Sequence, residues 1–298
     1  MRIRRVAILI DGGFFIKRVG KLVPAHYCDT PSAVADTASY LAKRHVQKLI
    51  GENFGAEHSR WLDHVYRIFY YDAVPYEGVA HHPISNLQID FGKTENAKFR
   101  HELFAELRRR RKFALRLGEV HKEDGWHVKN TEITKKLLRI RDWLHLLDLA
   151  LVPTPGGPTP VPLNSQQAAQ LTKVIEAWRS LTPDDLRLGL RQKGVDMRIG
   201  LDISTLTLKK QVDTIILVTG DSDFVPAAKV ARREGAEFLV DPLWQQVKDD
   251  LHEHVDGIIS VFRNPNAPAS ADDHDGDDRS TKIPSAASSA PQPPSKGP

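Results

Sequence analysis

The sequence predicts an α/β protein built on a parallel sheet, and three observations carry that reading. Thr214 to Val218 is an unbroken run of apolar and β-branched residues, too short for a helix. Val6 to Ile10 is a second run of the same kind. Each stops at a glycine-containing turn with acidic residues and then gives way to a helical pattern. Strands buried on both faces that hand over to helices belong to open α/β sheets, whose ligand crevices lie beyond the strands' carboxyl ends.

The later strand ends at Thr219-Gly220, and Asp221 and Asp223 follow. Pro226 opens a helical stretch with Ala227, Ala228, Val230 and Ala231 at helical spacing. Gly220 permits a sharp turn, and Ser222 between the acids sends both to one side in an extended local geometry. A carboxylate pair there suits a hard cation such as Mg²⁺ or Mn²⁺, which prefers oxygen ligands. The alternative role is capping of the next helix. The first strand ends at Asp11-Gly12-Gly13, before an amphipathic stretch of Phe14, Phe15, Val19 and Leu22. If the two strands are neighbours, Asp11 shares a crevice with Asp221 and Asp223; capping is again its alternative role.

Between them, Ser39–Ile50 has helical spacing and ends at Gly51. Val65–Tyr71 is aromatic and β-branched, a third strand, and leads to Asp72, where Pro75 and Gly78 suggest a turn. Residues 77–93 read as loop. Asn96–Lys112 is a basic helix closed by Arg108, Arg109, Arg110, Arg111 and Lys112. Cations at a helix C-terminus complement its dipole, and contact with nucleic acid is the sharper alternative for this run, which lies beside a predicted strand, Phe113–Leu117. Thr131–Leu151 and Gln166–Leu181 read as helices, separated by the connector Pro153–Pro162. The region of about 118–189 is thus a largely helical insertion, a candidate substrate platform or homo-oligomer contact. The scattered histidines lack the spacing of a zinc helix.

Gly194 breaks the chain ahead of Asp196, which stands at a helix start whose apolar face runs Ile199, Ile203, Leu206. Asp202 follows Asp196 by six residues. At roughly 100° per residue the two point about 240° apart, so they do not ligate one ion together. Asp196 is the candidate ligand, and Asp202 has a structural or supporting hydrogen bond. Glu237–Val240 is a further strand, Leu243–His254 a helix and Gly257–Val261 a last strand. Residues 264–298, rich in Pro, Ser, Ala and Asp, are expected to be disordered.

Composition narrows the class. With one cysteine, Cys28, the chain has no intramolecular disulfide and no thiolate zinc cage. That fits a reducing cytosol, and no stretch approaches the roughly 18 apolar residues of a membrane span, so a cytoplasmic protein is expected. The net charge is +4; five Asp against three Lys or Arg leave −2 on residues 264–298 and +6 on the rest. A mildly basic body favours a polyanionic partner.

Together, Ile10-Asp11-Gly12-Gly13, Lys193-Gly194-Val195-Asp196 and Thr219-Gly220-Asp221-Ser222-Asp223-Phe224 resemble the NYN domain, a PIN-like nuclease family that includes LabA-like proteins. The resemblance covers Val6–Tyr71 and Lys193–Val261. It implies a three-layer α/β/α sandwich with a central, mainly parallel sheet, a core of about 1–117 and 190–263 within an NYN domain of 1–263. It also implies a metal-dependent endoribonuclease acting on single-stranded or structured RNA, with Asp11, Asp196, Asp221 and Asp223 holding Mg²⁺ or Mn²⁺. Many family members have Asn three residues after the first Asp, where this chain has Phe14.

The same chemistry follows from the residues. Lys193 offers a point charge for a non-bridging phosphate oxygen, and Thr219 or Ser222 a hydroxyl to orient a ligand carboxylate. Two other classes compete with the ribonuclease: an RNA-binding regulator of the same fold that hydrolyses little, and a phosphohydrolase acting on small phosphoesters. The covalent-phosphatase pattern wants Asp-x-Asp after the first strand, whereas Gly12-Gly13 follows Asp11. No GxGxxG follows a strand, which disfavours a dinucleotide-binding fold.

Overall fold

The computed structural model describes residues 4–52, 54, 59–146 and 163–267. The Pro153–Pro162 connector and the tail from residue 268 lie outside them. The described chain divides into two compact units. The first comprises the described residues within 1–75, 92–120 and 192–298, the second those within 76–91 and 121–191.

Seven strands form one sheet: β1 (Val6–Asp11), β2 (Val65–Val74), β5 (Phe113–Val128), β6 (Leu186–Lys193), β7 (Thr214–Val218), β8 (Glu237–Asp241) and β9 (Gly257–Ile258). Their order is β6-β5-β2-β1-β7-β8-β9. β1 pairs in parallel with both β2 and β7, and β2–β5, β7–β8 and β8–β9 are parallel as well. β1 as far as Ile10 and the whole of β7 are buried because both sheet faces are covered, which is why they read as unbroken apolar runs. Strand order runs outward in opposite directions from β1 and β7. The pair therefore marks the topological switch point, where such sheets open a crevice.

Alternate residues divide two cores. Ile8, Ile10, Ile68, Tyr70, Ile216 and Val218 pack with Phe15 and Val19 of α1 (Gly12–Val19), Leu41 of α2 (Pro31–Ile50) and Leu103 of α3 (Glu95–Arg109). Leu9, Phe69, Tyr71, Ile215 and Leu217 pack on the other face with helices of the C-terminal half. The result is an α/β/α arrangement.

The second unit contains α4 (Thr131–Leu138), α5 (Ser165–Arg179) and a short antiparallel pair, β3 (Val79–His81) with β4 (Gln88–Asp90). The latter corrects the loop expected over 77–93; three-residue strands are too short to show alternation. His82 anchors this region, with Nε2 3.1 Å from the Pro183 carbonyl oxygen and its ring edge-on to Trp126. That gives one of the scattered histidines a packing role. A cavity of about 820 Å³ in this unit is lined by residues such as Lys136, Trp143 and Lys173, and by none of the predicted acids. No described helix is long and apolar enough to cross a membrane.

Other boundaries moved for local reasons. β5 runs far beyond Leu117, through a charged stretch whose strand character sequence periodicity does not show. The helix expected over Leu243–His254 shrinks to α8 (Asp249–Glu253), because Leu243 and Trp244 both adopt left-handed backbone, at φ 49° and 61°.

Candidate active site

β1 and β7 are in register from Val6–Thr214 to Ile10–Val218. Asp11 thus emerges beside Thr219, just ahead of the Asp221 turn. Asp11 is also the N-cap of α1, its Oδ1 accepting the Phe14 N–H at 3.0 Å. The capping and crevice roles are compatible, since a carboxylate has a second oxygen to offer.

Asp196 reaches the same region from α6 (Val195–Leu208), whose N-cap is Gly194 at φ 77°. A side chain would be strained there, so glycine fixes where the helix begins. The preceding Gln192 lies close to Asp11: a side chain at Gly13 would find Asp11 Oδ1 at 3.5 Å and Gln192 Oε1 at 3.7 Å.

The GDSD turn differs from the extended geometry expected of it. Asp221 is extended, but Ser222–Phe224 form a 3₁₀ turn that leads into α7 (Val225–Arg233). Asp221 Oδ1 accepts the Asp223 N–H at 3.1 Å, so a side-chain-closed turn, and not strand alternation, sets the two acids. Thr219 acts on the turn as well: its hydroxyl oxygen accepts the Asp221 N–H at 3.2 Å. Asp221 and Asp223 are exposed and Ser222 is partly buried.

Electrostatics link the four acids. Burial raises the Asp11 carboxyl pKa above its ordinary value, and the charges of Asp196 and Asp72 add to the rise. Burial likewise raises Asp196, with further contributions from Asp221 and Asp223. Mutual repulsion of this kind is what an added cation relieves. The donor set, all carboxylate oxygen, suits a hard divalent ion. Among the described residues, no three His, Cys, Asp or Glu stand close enough to hold an ion, so the acids are neighbours without a closed cage.

Asp202 and the basic run stand apart from the four acids. Asp202 accepts the Tyr71 hydroxyl at 2.8 Å and the Arg116 Nε–H at 2.9 Å, the structural bond expected of it. The basic run lies elsewhere. Ile68 N–H bonds the Lys112 carbonyl and Ile68 pairs with Phe113, near the amino end of β2. Arg108, Arg109, Arg110 and Arg111 therefore lie toward the amino ends of the strands, whereas the acids follow their carboxyl ends. Arg109 pairs with Glu106, and Arg110 with the largely buried Asp36; Arg108 and Arg111 are exposed.

Sequence reasoning underrated the surroundings of Asp72. This acid is 1% exposed, ion-paired with Arg100, and its Oδ1 lies 3.4 Å from Gln192 Nε2. Beside it, the fully buried Tyr70 hydroxyl finds no hydrogen-bond partner among the described residues. The signal available in advance was its position at the end of a third strand.

A family model of the NYN domain matches residues 163–261, a stretch that contains Lys193, Asp196, Asp221 and Asp223. The resemblance read from the motifs is thus shown for this part of the chain, and the NYN domain is a PIN-like nuclease family. Among solved structures, a protein of unknown function from Vibrio parahaemolyticus is similar at 13% identity and a TM-score of 0.32, over 87% of this chain and 95% of that one. No curated protein matches.

Proposed function

We propose that the protein is a metal-dependent endoribonuclease whose centre is the crevice between β1 and β7. The observation that carries this reading is the gathering of Asp11, Asp196, Asp221 and Asp223 at a switch point, where burial and like charge raise two of them. A protein that only bound RNA would gain nothing from collecting carboxylates that repel one another and a polyanion. Asp11, Asp196, Asp221 and Asp223 are the carboxylates that would draw together on Mg²⁺ or Mn²⁺, since as they stand no three of them close on one point. Such an ion, when bound, lowers the pKa of a ligated water and neutralises charge on phosphate oxygens.

The chain's own residues supply the remainder. Thr219 and the Asp221 cap fix the GDSD turn, so the Asp221 and Asp223 carboxylates are placed before substrate arrives. Gly194 sets the start of α6 and so the position of Asp196. Lys193, beside that turn, is assigned to a non-bridging phosphate oxygen, and Ser222 to a supporting hydrogen bond.

The test is cleavage of a labelled single-stranded RNA with Mn²⁺, Mg²⁺ or EDTA, by wild type and Asp221→Asn purified in parallel. Metal-dependent cutting that vanishes in the variant is the expected result. Equal cutting by both proteins would remove the centre from the GDSD turn. RNA binding without cutting by either would leave the regulatory binder as the better reading.

A further inference from the structure

The turn after β8 carries unusual backbone for residues with side chains, and it delivers one residue to the acid crevice. Leu243 and Trp244 are consecutive left-handed residues, neither of them glycine. Four hydrogen bonds hold them there. Leu243 N–H donates to Asp241 Oδ1 at 2.8 Å, and the Leu243 carbonyl accepts from Arg18 of α1 at 2.7 Å. Trp244 N–H donates to Ser260 Oγ at 3.2 Å, and its indole N–H to the Phe262 carbonyl at 2.8 Å. Non-glycine backbone of this kind persists only where its surroundings over-determine it, and it gathers at functional sites.

The next residue is Gln245, exposed, and its amide reaches Gly220. A side chain at Gly220 would meet Phe14 Cε2 at 2.8 Å and Gln245 Nε2 at 3.0 Å. An aromatic ring from α1 and a side-chain amide from the β8 turn therefore converge over the residue that directly precedes Asp221. Phe14 is only partly buried, although it packs against the core.

We propose that Phe14 and Gln245 form a nucleobase subsite beside the acids, taking the unpaired base of the nucleotide whose phosphate lies at the crevice. The proposal rests on the reading of the site as one that cleaves RNA. A ring stacks on the π-face of any base, and a carboxamide presents a donor and an acceptor together, the pair needed to read a base edge. Bases in a duplex are already stacked and paired, so the subsite selects single-stranded or looped RNA. Phe14 supplies affinity and Gln245 supplies preference among bases.

The test measures binding in EDTA, where no cutting occurs, by anisotropy of short labelled RNAs of each base and of one abasic RNA. Phe14→Leu, which keeps an apolar side chain against the core, is expected to weaken binding about tenfold, and Phe14→Tyr to restore it. Wild type is expected to bind the abasic RNA about tenfold more weakly than the intact one. Gln245→Ala is expected to level the differences among the four bases. Equal binding of abasic and intact RNA by wild type would overturn the subsite whatever the variants' folding. It would leave metal-dependent cleavage at Asp221 standing. Absence of any RNA binding by wild type, in EDTA and also with Ca²⁺ added to neutralise the acids, would overturn the subsite, and lost cleavage in the separate assay would then overturn the nuclease as well.

Discussion

His45 Nε2 lies 2.8 Å from Asp241 Oδ2, and both side chains are almost wholly buried. The pair ties α2 to the carboxyl end of β8. The other oxygen of Asp241 accepts the Leu243 N–H and the Ser260 hydroxyl, so a single carboxylate holds helix, strand end and turn together. Asp241→Ala strands the buried His45 ring and Leu243 N–H, and the partly buried Ser260 hydroxyl, at about 1–3 kcal/mol for each buried group left unpaired. Urea unfolding is expected to show a loss of about 3 kcal/mol or more.

Asp11→Asn is expected to stabilise the metal-free protein at neutral pH. Burial, Asp196 and Asp72 raise the folded-state pKa of Asp11, so the folded chain holds that proton more firmly than the unfolded chain. Stability then falls as pH rises from the ordinary carboxylate range through the raised value, and above it the whole penalty is present. Asparagine caps a helix as well as aspartate does, so the α1 start is kept. Thermal unfolding in EDTA at pH 7 is expected to rise by roughly 2–4 °C per kcal/mol relieved, with no gain near pH 3.

Mn²⁺ is expected to raise the melting temperature of wild type, following a gain of about 2.7 kcal/mol at a hundred times the dissociation constant. Asp196→Asn is expected to lose most of that shift. Titration of the metal into each protein during thermal melts checks this, and an equal shift in both would place the ion elsewhere.

The arginine run separates into two kinds of residue. Joint replacement of Arg108, Arg109 and Arg111 by Ala is expected to leave cleavage within about tenfold of wild type, under about 1.4 kcal/mol, because the run is at the amino end of the strands, away from the acids. Arg110→Ala instead strips Asp36, 15% exposed at its side chain, of its partner. Chemical denaturation is expected to show a loss of about 3 kcal/mol or more for that variant, the cost of breaking a largely buried pair.

Asp202→Ala tests the separation of structural from functional acids. It leaves the buried Tyr71 hydroxyl without its acceptor, at a cost of about 1–3 kcal/mol. Cleavage per folded molecule is expected to change less than about tenfold, in contrast to Asp196 on the same helix.

What could be read from the chain followed burial and spacing. β1 and β7 announced themselves because strands covered on both faces have no polar positions to disguise them. Asp196 and Asp202 separated on helical angle alone, and Tyr71 now shows what Asp202 is for. Gly51 and Gly194, both left-handed, marked a helix end and a helix start. The misses came from contacts distant in sequence. Nothing local distinguishes Arg110 from its neighbours until Asp36 is beside it, and nothing in Leu243-Trp244 forecasts left-handed backbone until Asp241, Ser260 and Arg18 hold it. The GDSD turn defeated strand alternation because Asp221 closes a turn on the Asp223 amide, a local bond that competes with extended backbone.

The pairing of β1 with β7 also has a meaning in time. Synthesis makes Asp11 long before its partner strand, since β7 and the acids that follow it come only after α6 has been made. If the crevice cuts RNA, the ordering is a safeguard: no nascent chain carries a complete cutting edge until β7 has been made and has paired with β1.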